Sequence, residues 1–207
     1  MSTTSLSTLE NFQWQYDGWR KSLSLPKLVA FALALATLTG IMAQIKIYLP
    51  LTPVPVTLQS FMVLLSGVIL GKNWGAISQI FYVVLGAMGM PWFAGAHFGM
   101  AYLMGPTAGY LFGFIVTAYV MGWIYDRVIL SHDWLPLLGV MIVCNLFCVY
   151  GFGLLYLAFW TNILQGGSKS WSEILWMGFL PFLVGDILKI IVAAFLATTI
   201  SPKKNQF

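Results

Sequence analysis

The stretch that decides how this chain folds is FLVGDILKII, which runs from Phe182 to Ile191. It lies near the start of an apolar run from Pro181 to Ile200, and a run of about 20 such residues is long enough to cross a bilayer as a helix. Two ionisable residues, Asp186 and Lys189, stand inside this run. A charge at membrane depth costs about 2.5 to 3.5 kcal/mol on insertion scales, so such charges usually serve a function.

Asp186 and Lys189 are three positions apart, and residues at that spacing lie on the same face of a helix. One interpretation is that the two charges neutralise each other and hold helices together. The other is that they belong to a polar pocket for a solute with both hydrogen-bond donors and acceptors. We favour the pocket, because ionisable residues inside membranes usually mark functional sites.

Composition indicates an integral membrane protein. The chain has 207 residues, of which 59% are hydrophobic and 8% are charged, and its mean hydropathy is +0.86. Soluble domains contain about 25% charged residues. No room remains for a separate soluble domain of the usual size that would bind a catalytic cofactor. In a membrane protein, the net charge of +4 indicates orientation and lipid contact rather than nucleic-acid binding.

Hydropathy predicts an all-α bundle of six transmembrane helices. The predicted spans cover residues 27–47, 56–71, 74–90, 106–125, 135–160 and 181–200. They make up a membrane domain at residues 27–200, which follows a polar and interfacial segment at residues 1–26 and precedes a cytoplasmic tail at residues 201–207. The polar start and the absence of a small-residue cleavage site argue against a signal peptide.

The distribution of basic residues predicts that both termini are cytoplasmic, because loops on that side carry an excess of lysine and arginine. In this orientation the outer flanks hold Lys46 and Lys169, and the inner flanks hold Arg20, Lys21, Lys27, Lys72, Arg127, Lys203 and Lys204. The last helix then runs inward. At about 1.5 Å per residue, Asp186 and Lys189 lie roughly 8 to 12 Å below its outer end, within reach of a solute from outside.

Two irregular segments are predicted to lie near that solute. Tyr48 to Pro55 is rich in proline, so it predicts a stiff extended loop that could act as a lid. Pro91 to Gly105 is broken by glycines yet apolar, which predicts a loop folded back into the bundle, since irregular backbone at membrane depth must be covered by protein. His97, in this loop, is interpreted either as an interface residue or as a ligand contact.

Small residues recur every four positions in the first and fourth predicted spans. They allow a second helix to approach closely, and the glycines also leave room for a flat ligand. The residues concerned are Ala30, Ala34, Ala32 and Ala36 in the first span and Gly105, Gly109 and Gly113 at the fourth.

The sequence lacks a hydrolase triad, an HExxH motif, paired catalytic carboxylates and a phosphate-binding loop. Cys144 and Cys148 have no histidine or carboxylate nearby in the sequence, so we predict that they pack in the core rather than bind a metal. One histidine and one carboxylate, His132 and Asp133, do not make a metal site. We therefore expect no enzyme, and active transport would need energy from another protein.

Four segments together resemble a known family. They are VPVTLQ at 54–59, LGAMGMP at 85–91, GPTAGYL at 105–111 and GDILK at 185–189. In this order they are similar to the signature segments of the BioY family, the biotin-specific substrate-binding (S) components of energy-coupling factor (ECF) transporters. The likeness extends from about Lys27 to Thr199.

The resemblance implies a six-helix S-component fold in the plasma or inner membrane. It implies that the chain binds biotin from the outer side without a cofactor, and that it works with a transmembrane T subunit and two ATPase subunits. The alanine face around Ala30 and Ala34 would meet the T subunit.

The resemblance also implies that Asp186 and Lys189 contact biotin and that Thr107, Tyr110 and the preceding glycine-rich loop line its pocket. The ureido ring of biotin offers two N–H donors and a carbonyl acceptor, which suit a carboxylate and an ammonium. Trp92, Phe93 or Tyr82 would support the apolar rings, although we interpret Tyr82 mainly as a packing residue.

Two positions depart from the family pattern. Gly95-Ala96-His97 stands where the loop often carries Gly-Gly-Asn, and Leu111 stands where some members have an arginine for the carboxylate of biotin. His97, backbone N–H groups of the loop or Lys189 could replace that contact.

Two other classes of function are also considered. A self-sufficient secondary carrier or channel would use Asp186 and Lys189 as a proton or ion relay. An intramembrane enzyme is the least favoured class, because its motifs are missing.

Overall fold

The structure is a computed structural model, and it describes residue 20, residues 22–127 and residues 134–200. Three parts of the sequence discussed above lie outside the described residues. They are residues 1–19, which make up most of the predicted N-terminal segment, the predicted tail at residues 201–207, and the pair His132 and Asp133. The α-helices are α1 (Leu25–Gln44), α2 (Gln59–Ala87), α3 (Met100–Leu103), α4 (Ala108–Arg127), α5 (Trp134–Cys144), α6 (Gly151–Phe159), α7 (Trp171–Gly178) and α8 (Leu183–Ile200). The strands are β1 (Lys46–Ile47) and β2 (Val56–Thr57).

The described part of the chain is mostly helical and contains five helical stretches that are long and apolar enough to cross a membrane. These stretches are Leu25–Gln44, Gln59–Ala87, Ala108–Arg127, Trp134–Leu164 and Trp171–Thr199. The prediction of a multi-pass helical membrane protein is confirmed at this level.

Helix α2 folds back on itself at Gly71, whose φ of 74° is readily adopted by glycine but rarely by other residues. A straight helix would separate Gln59 and Tyr82 by about 35 Å at 1.5 Å per residue. Instead, the Gln59 side-chain amide donates to the Tyr82 hydroxyl at 2.6 Å. A Cβ added to Gly75 would lie 2.8 Å from Gly67 Cα, so the two halves of α2 pack closely against each other.

A set of neutral polar side chains is buried where α1 meets both halves of α2, and we call it the enclosed cluster. The Gln79 amide nitrogen donates to Thr39, Ser66 and Ser78 at 3.4, 3.3 and 3.1 Å. All four residues are fully buried. Interhelical hydrogen bonds of this kind hold membrane helices together.

The helical stretch between Trp134 and Leu164 is not a regular α-helix. Two π-helical segments interrupt it, Asn145–Tyr150 and Trp160–Leu164. A π-turn bonds residue i to i+5, so it is wider than an α-turn, and such turns are frequent at functional sites.

Glycines in α4 allow it to pack tightly on this stretch. A Cβ at Gly113 would lie 2.7 Å from the Cys148 carbonyl oxygen, and one at Gly109 would overlap the Phe152 carbonyl. The neighbouring helix therefore fills the space beside these two glycines. Of the two interpretations given above, close helix packing applies at Gly109 and Gly113 rather than room for a flat ligand.

Two non-helical segments cover one end of the bundle. Strands β1 and β2 form an antiparallel hairpin in which Lys46 pairs with Thr57, and the loop predicted as a lid joins them. The second segment is predicted from the sequence as an irregular loop over residues 91–105. Residues 88–99 are irregular and fold back into the bundle, with Trp92, Phe93 and Ala94 buried, whereas Met100–Leu103 form the short helix α3. The Gln44 side chain donates to the Trp92 and Phe93 carbonyls at 3.2 and 3.1 Å, which fixes this segment against α1.

Candidate functional site

A cavity that opens in part to solvent lies beneath the hairpin and the segment 88–99. Polar residues line one part and apolar residues the rest, as in most small-molecule sites. The lining consists of Val54, Pro55, Thr57, Gln59, Ser60, Ala94, Tyr102, Thr107, Tyr110, Leu111, Phe114, Val149, Tyr150, Phe182, Asp186 and Lys189.

Asp186 and Lys189 line this cavity from the first turns of α8 and form a salt bridge with each other. They are only 6% and 8% exposed, and they are the buried charged residues of the described chain. Asp186 stands in the first turn of α8, where the helix dipole favours a negative charge. The two charged side chains, predicted to lie on one face of the helix, thus contact each other and line a cavity in the structure.

Two further side chains hold the Asp186 carboxylate. Asn145 Nδ2 and the Tyr150 hydroxyl both donate to Asp186 Oδ2, at 2.7 and 2.6 Å. We call Asp186, Lys189, Asn145 and Tyr150 the polar floor of the cavity. In a regular α-helix, residues five positions apart point about 140° away from each other. The π-helical segment Asn145–Tyr150 has about one i→i+5 turn, which brings both side chains to the same oxygen.

Lys189 joins α8 to the hairpin and to α2. Its ammonium donates to the Thr57 carbonyl oxygen at 2.9 Å and to Ser60 Oγ at 3.1 Å. Together with Asp186, these partners use all three of its N–H groups. Sequence reasoning missed Ser60 and Thr57, and a polar residue within an apolar span was the signal available for Ser60.

The two residues predicted at the entrance of the fourth span, Thr107 and Tyr110, both line the cavity. Tyr110 is buried, and its hydroxyl donates to the Gly178 carbonyl oxygen at 2.8 Å. Its hydroxyl is therefore bonded within the protein, while the residue forms part of the cavity lining. The apolar wall beside it contains Leu111, Phe114, Val149 and Phe182.

The structure places Trp92 and Phe93 behind the cavity wall, outside its lining. The Trp92 indole donates to the Tyr82 carbonyl oxygen at 2.9 Å. Phe93 is fully buried and stacks on Tyr102 with ring centroids 4.8 Å apart. Tyr82 is also fully buried, consistent with the packing role favoured for it. These rings hold Ala94 and Tyr102, which do line the cavity.

His97 lies at the surface, where it lines a groove that continues from the cavity. Its ring stacks on Tyr102 with a centroid distance of 5.5 Å. Burial raises the pKa of the Tyr102 hydroxyl above its usual value, so this group remains a neutral donor at physiological pH. The geometry brings His97 near the cavity mouth and not to the polar floor.

The alanines of α1 divide between two environments. Ala32 and Ala36 are fully buried against the rest of the bundle. Ala30 and Ala34 are exposed, and together with Leu23, Lys27 and Phe31 they line a surface groove. The two alanines predicted to meet a partner helix are thus exposed in the described part of the chain.

No group of three His, Cys, Asp or Glu side chains that could hold a metal ion occurs within residues 20, 22–127 and 134–200. Cys144 is buried and Cys148 is partly buried, and both are free thiols. The mixture of polar and apolar residues in the cavity lining suits an organic molecule with an apolar body and a polar end.

Comparison with known proteins gives consistent matches. Residues 17–206 match the model of the BioY family. A protein of Methanothermobacter thermautotrophicus named probable biotin transporter BioY is 46% identical over 140 residues, which cover 68% of this chain and 89% of that protein. The biotin transporter BioY of Thermotoga maritima is 42% identical over 151 residues, which cover 73% of this chain and 83% of the relative.

The fold also has a counterpart among solved structures. The crystal structure of the S-component for biotin from an ECF-type ABC transporter superposes with a TM-score of 0.76 at 23% identity. The superposition covers 86% of this chain and 93% of the other. By the extent of the family match and the identity to its members, this chain belongs to the BioY family.

Proposed function

We propose that this protein is the biotin-capture subunit of an ECF-type transporter for biotin uptake, and that it is not itself an enzyme. The observation that carries the proposal is the buried Asp186–Lys189 pair on the wall of a cavity that has both polar and apolar lining residues. The names of the relatives point to the same ligand.

The polar floor suits the ureido ring of biotin. An ionised carboxylate has about four lone-pair sites, and Lys189, Asn145 and Tyr150 occupy three of those on Asp186. The remaining site accepts one ureido N–H. Ser60 accepts from Lys189 through its oxygen, which leaves its own proton free to donate to the ureido carbonyl.

The apolar wall suits the rest of the ligand. Leu111, Phe114, Val149 and Phe182 line the cavity beside the polar floor. The sulfur-containing ring and the methylene chain of biotin would lie against these side chains, where burial of apolar surface adds about 25 cal/mol per Å².

The orientation follows from the basic residues. Arg20 pairs with Asp126 at 2.8 Å, and a Cβ at Gly71 would lie 2.9 Å from the same carboxylate, so these segments meet at one end of the bundle. The cavity lies toward the hairpin end. With the two halves of α2 counted as separate spans, the bundle has six spans in the plasma or inner membrane, both termini cytoplasmic, and the cavity facing outward.

Energy for uptake would come from partners. In this proposal the exposed face around Ala30 and Ala34 meets a transmembrane T subunit, since small residues allow close helix approach. Two ATPase subunits would drive the release of biotin inward, and this subunit needs no cofactor. Release would be a two-state change that the T subunit biases.

Equilibrium binding of biotin to the purified protein tests the site. We expect tight binding by the wild type and its loss in the double variant Asp186→Asn/Lys189→Ala. The matched control is Lys169→Ala/Glu173→Gln, which removes an exposed pair at 3.9 Å on α7 and its preceding turn and should bind normally. A wild type without affinity for biotin, or a double variant with full affinity, would refute the proposal.

The carrier alternative has less support. Asp186 and Lys189 are the buried charged residues of the described chain, and Asp186 bonds to an amide and a phenol rather than to a further carboxylate or histidine. A relay across the bundle would need more titratable groups. Biotin accumulation driven by an ion gradient in proteoliposomes without any ATPase would favour the carrier instead.

A further inference from the structure

The cavity continues into a surface groove of about 520 Å³ at the mouth. Four residues line both the cavity and the groove, namely Pro55, Ala94, Tyr102 and Thr107. A ligand that sits on the polar floor and extends along these walls would emerge in the groove beside Tyr48 and His97. The far end of an elongated ligand therefore meets the residues of the mouth.

A lysine stands at this mouth. A Cβ added to Gly95 would lie 2.9 Å from Lys46 Nζ, 2.7 Å from the Tyr48 hydroxyl and 3.1 Å from the His97 ring. These three side chains thus surround one point on the loop. Gly95 has no side chain, so the three side chains can approach the backbone of the loop at this point.

Lys46 is also linked to the polar floor through the hairpin. It pairs directly with Thr57, whose carbonyl oxygen accepts from Lys189. Directly opposed residues of an antiparallel pair project to the same face, so the side chains of Lys46 and Thr57 lie on one face of the hairpin. Its ammonium stands 5.5 Å from the centre of the Tyr48 ring.

Lys46 is free to bind an anion. Within residues 20, 22–127 and 134–200 it has no carboxylate partner in a salt bridge. Leu111 lines the cavity, and because leucine is uncharged this position cannot bind an anion by charge. Lys189 is committed to Asp186, Thr57 and Ser60 at the other end.

From these contacts we infer that Lys46 holds the carboxylate of the bound ligand at the mouth, with the Tyr48 hydroxyl as a second donor. The inference rests on the proposed function, because it takes biotin to be the ligand. The ureido ring then lies on the polar floor, the methylene chain passes Ala94 and Tyr102, and the negative end reaches Lys46. The two ends of the ligand are recognised by two different lysines.

The test compares biotin with biotinamide, whose tail is uncharged. We measure the affinity of each for the wild type, Lys46→Gln, Lys46→Arg and the control Lys169→Gln, another lysine assigned to the outer flank. Wild type and the control should prefer biotin. Lys46→Gln should lose about three- to tenfold in affinity for biotin and nothing for biotinamide, since Lys46 is only partly exposed. Lys46→Arg should retain much of the preference.

A salt titration of the wild type gives an independent measurement. Affinity for biotin should fall as ionic strength rises, while affinity for biotinamide should stay constant, because only the first contact involves opposite charges. Equal wild-type affinity for both ligands, or an equal loss of both in Lys46→Gln, would overturn the role of Lys46 while leaving the proposed function intact. A wild type that binds no biotin would overturn both.

Discussion

The polar floor and the enclosed cluster are both buried sets of polar side chains at membrane depth, yet they differ in two respects. The floor contains a charged pair and adjoins a cavity. The enclosed cluster consists of an amide and three hydroxyls, and its residues do not line that cavity. Each set also holds one buried amide oxygen without a hydrogen-bond partner in the described part of the chain, Asn145 Oδ1 in the floor and Gln79 Oε1 in the enclosed cluster.

The comparison teaches that burial of polar groups does not by itself identify a binding site. The enclosed cluster joins α1 to the two halves of α2, so its hydrogen bonds are explained by helix packing. The floor has the same kind of internal bonds, but it also presents unused bonding capacity to an open space. The distinction can be tested, because substitutions in the two sets should affect binding very differently.

The largest effect is expected for Lys189→Met. It removes the partner of a buried carboxylate, which costs about 3 to 5 kcal/mol in other proteins. Affinity for biotin should fall by at least about 100-fold, because the floor loses both its charge balance and its bond to Thr57. Binding measurements and thermal unfolding check this, with the exposed-site variant Lys169→Met as control. Binding within threefold of the wild type would contradict the prediction.

A smaller effect is expected for Tyr150→Phe, which keeps the ring but removes the hydroxyl that donates to Asp186. A hydrogen bond to a charged group contributes about 1.5 to 3 kcal/mol, so we expect a loss of roughly tenfold or more in affinity. The control is Tyr156→Phe, six residues on in the same helical stretch and away from the floor. If the two variants bound biotin equally well, Tyr150 would have no part in the site.

The smallest effect on binding is expected for Gln79→Met in the enclosed cluster. Methionine has a similar length and fills the same space, but it gives up the bonds to Thr39, Ser66 and Ser78. Each such bond contributes about 0.6 kcal/mol in membrane proteins, so stability should fall by about 1 to 2 kcal/mol while biotin affinity stays within about twofold. A large loss of binding here would remove the distinction between the two clusters.

The sequence was sufficient to predict the general fold and the pairing of the two buried charges. The apolar runs predict the helices, and the boundary between the predicted spans 56–71 and 74–90 coincides with Gly71, where α2 does fold back. Asp186 and Lys189 could be identified because charges are rare at membrane depth. Their side chains do meet, and they line the cavity.

The remainder of the site depends on geometry that the sequence does not reveal. Asn145 and Tyr150 are five positions apart, a spacing that puts side chains on different faces of an α-helix, so their convergence required the π-helical segment. An aromatic residue near a site can line it or stand behind it. Tyr102 lines the cavity, whereas Trp92 and Phe93 lie behind its wall. All three are aromatic residues of the same glycine-rich segment, so the sequence does not distinguish between the two positions.

The π-helical segment Asn145–Tyr150 also sets the rotation of the helix that follows it. A wider turn takes up one residue more than an α-helix would, so rewinding the segment into a regular α-helix with the same residues would rotate the C-terminal remainder by about 100°. Such a rotation would turn Leu157, now fully buried, and Gly153, now packed against the Tyr110 ring, away from the core. Removing one residue from the segment would instead let it close into a regular α-helix with the later turns still in place.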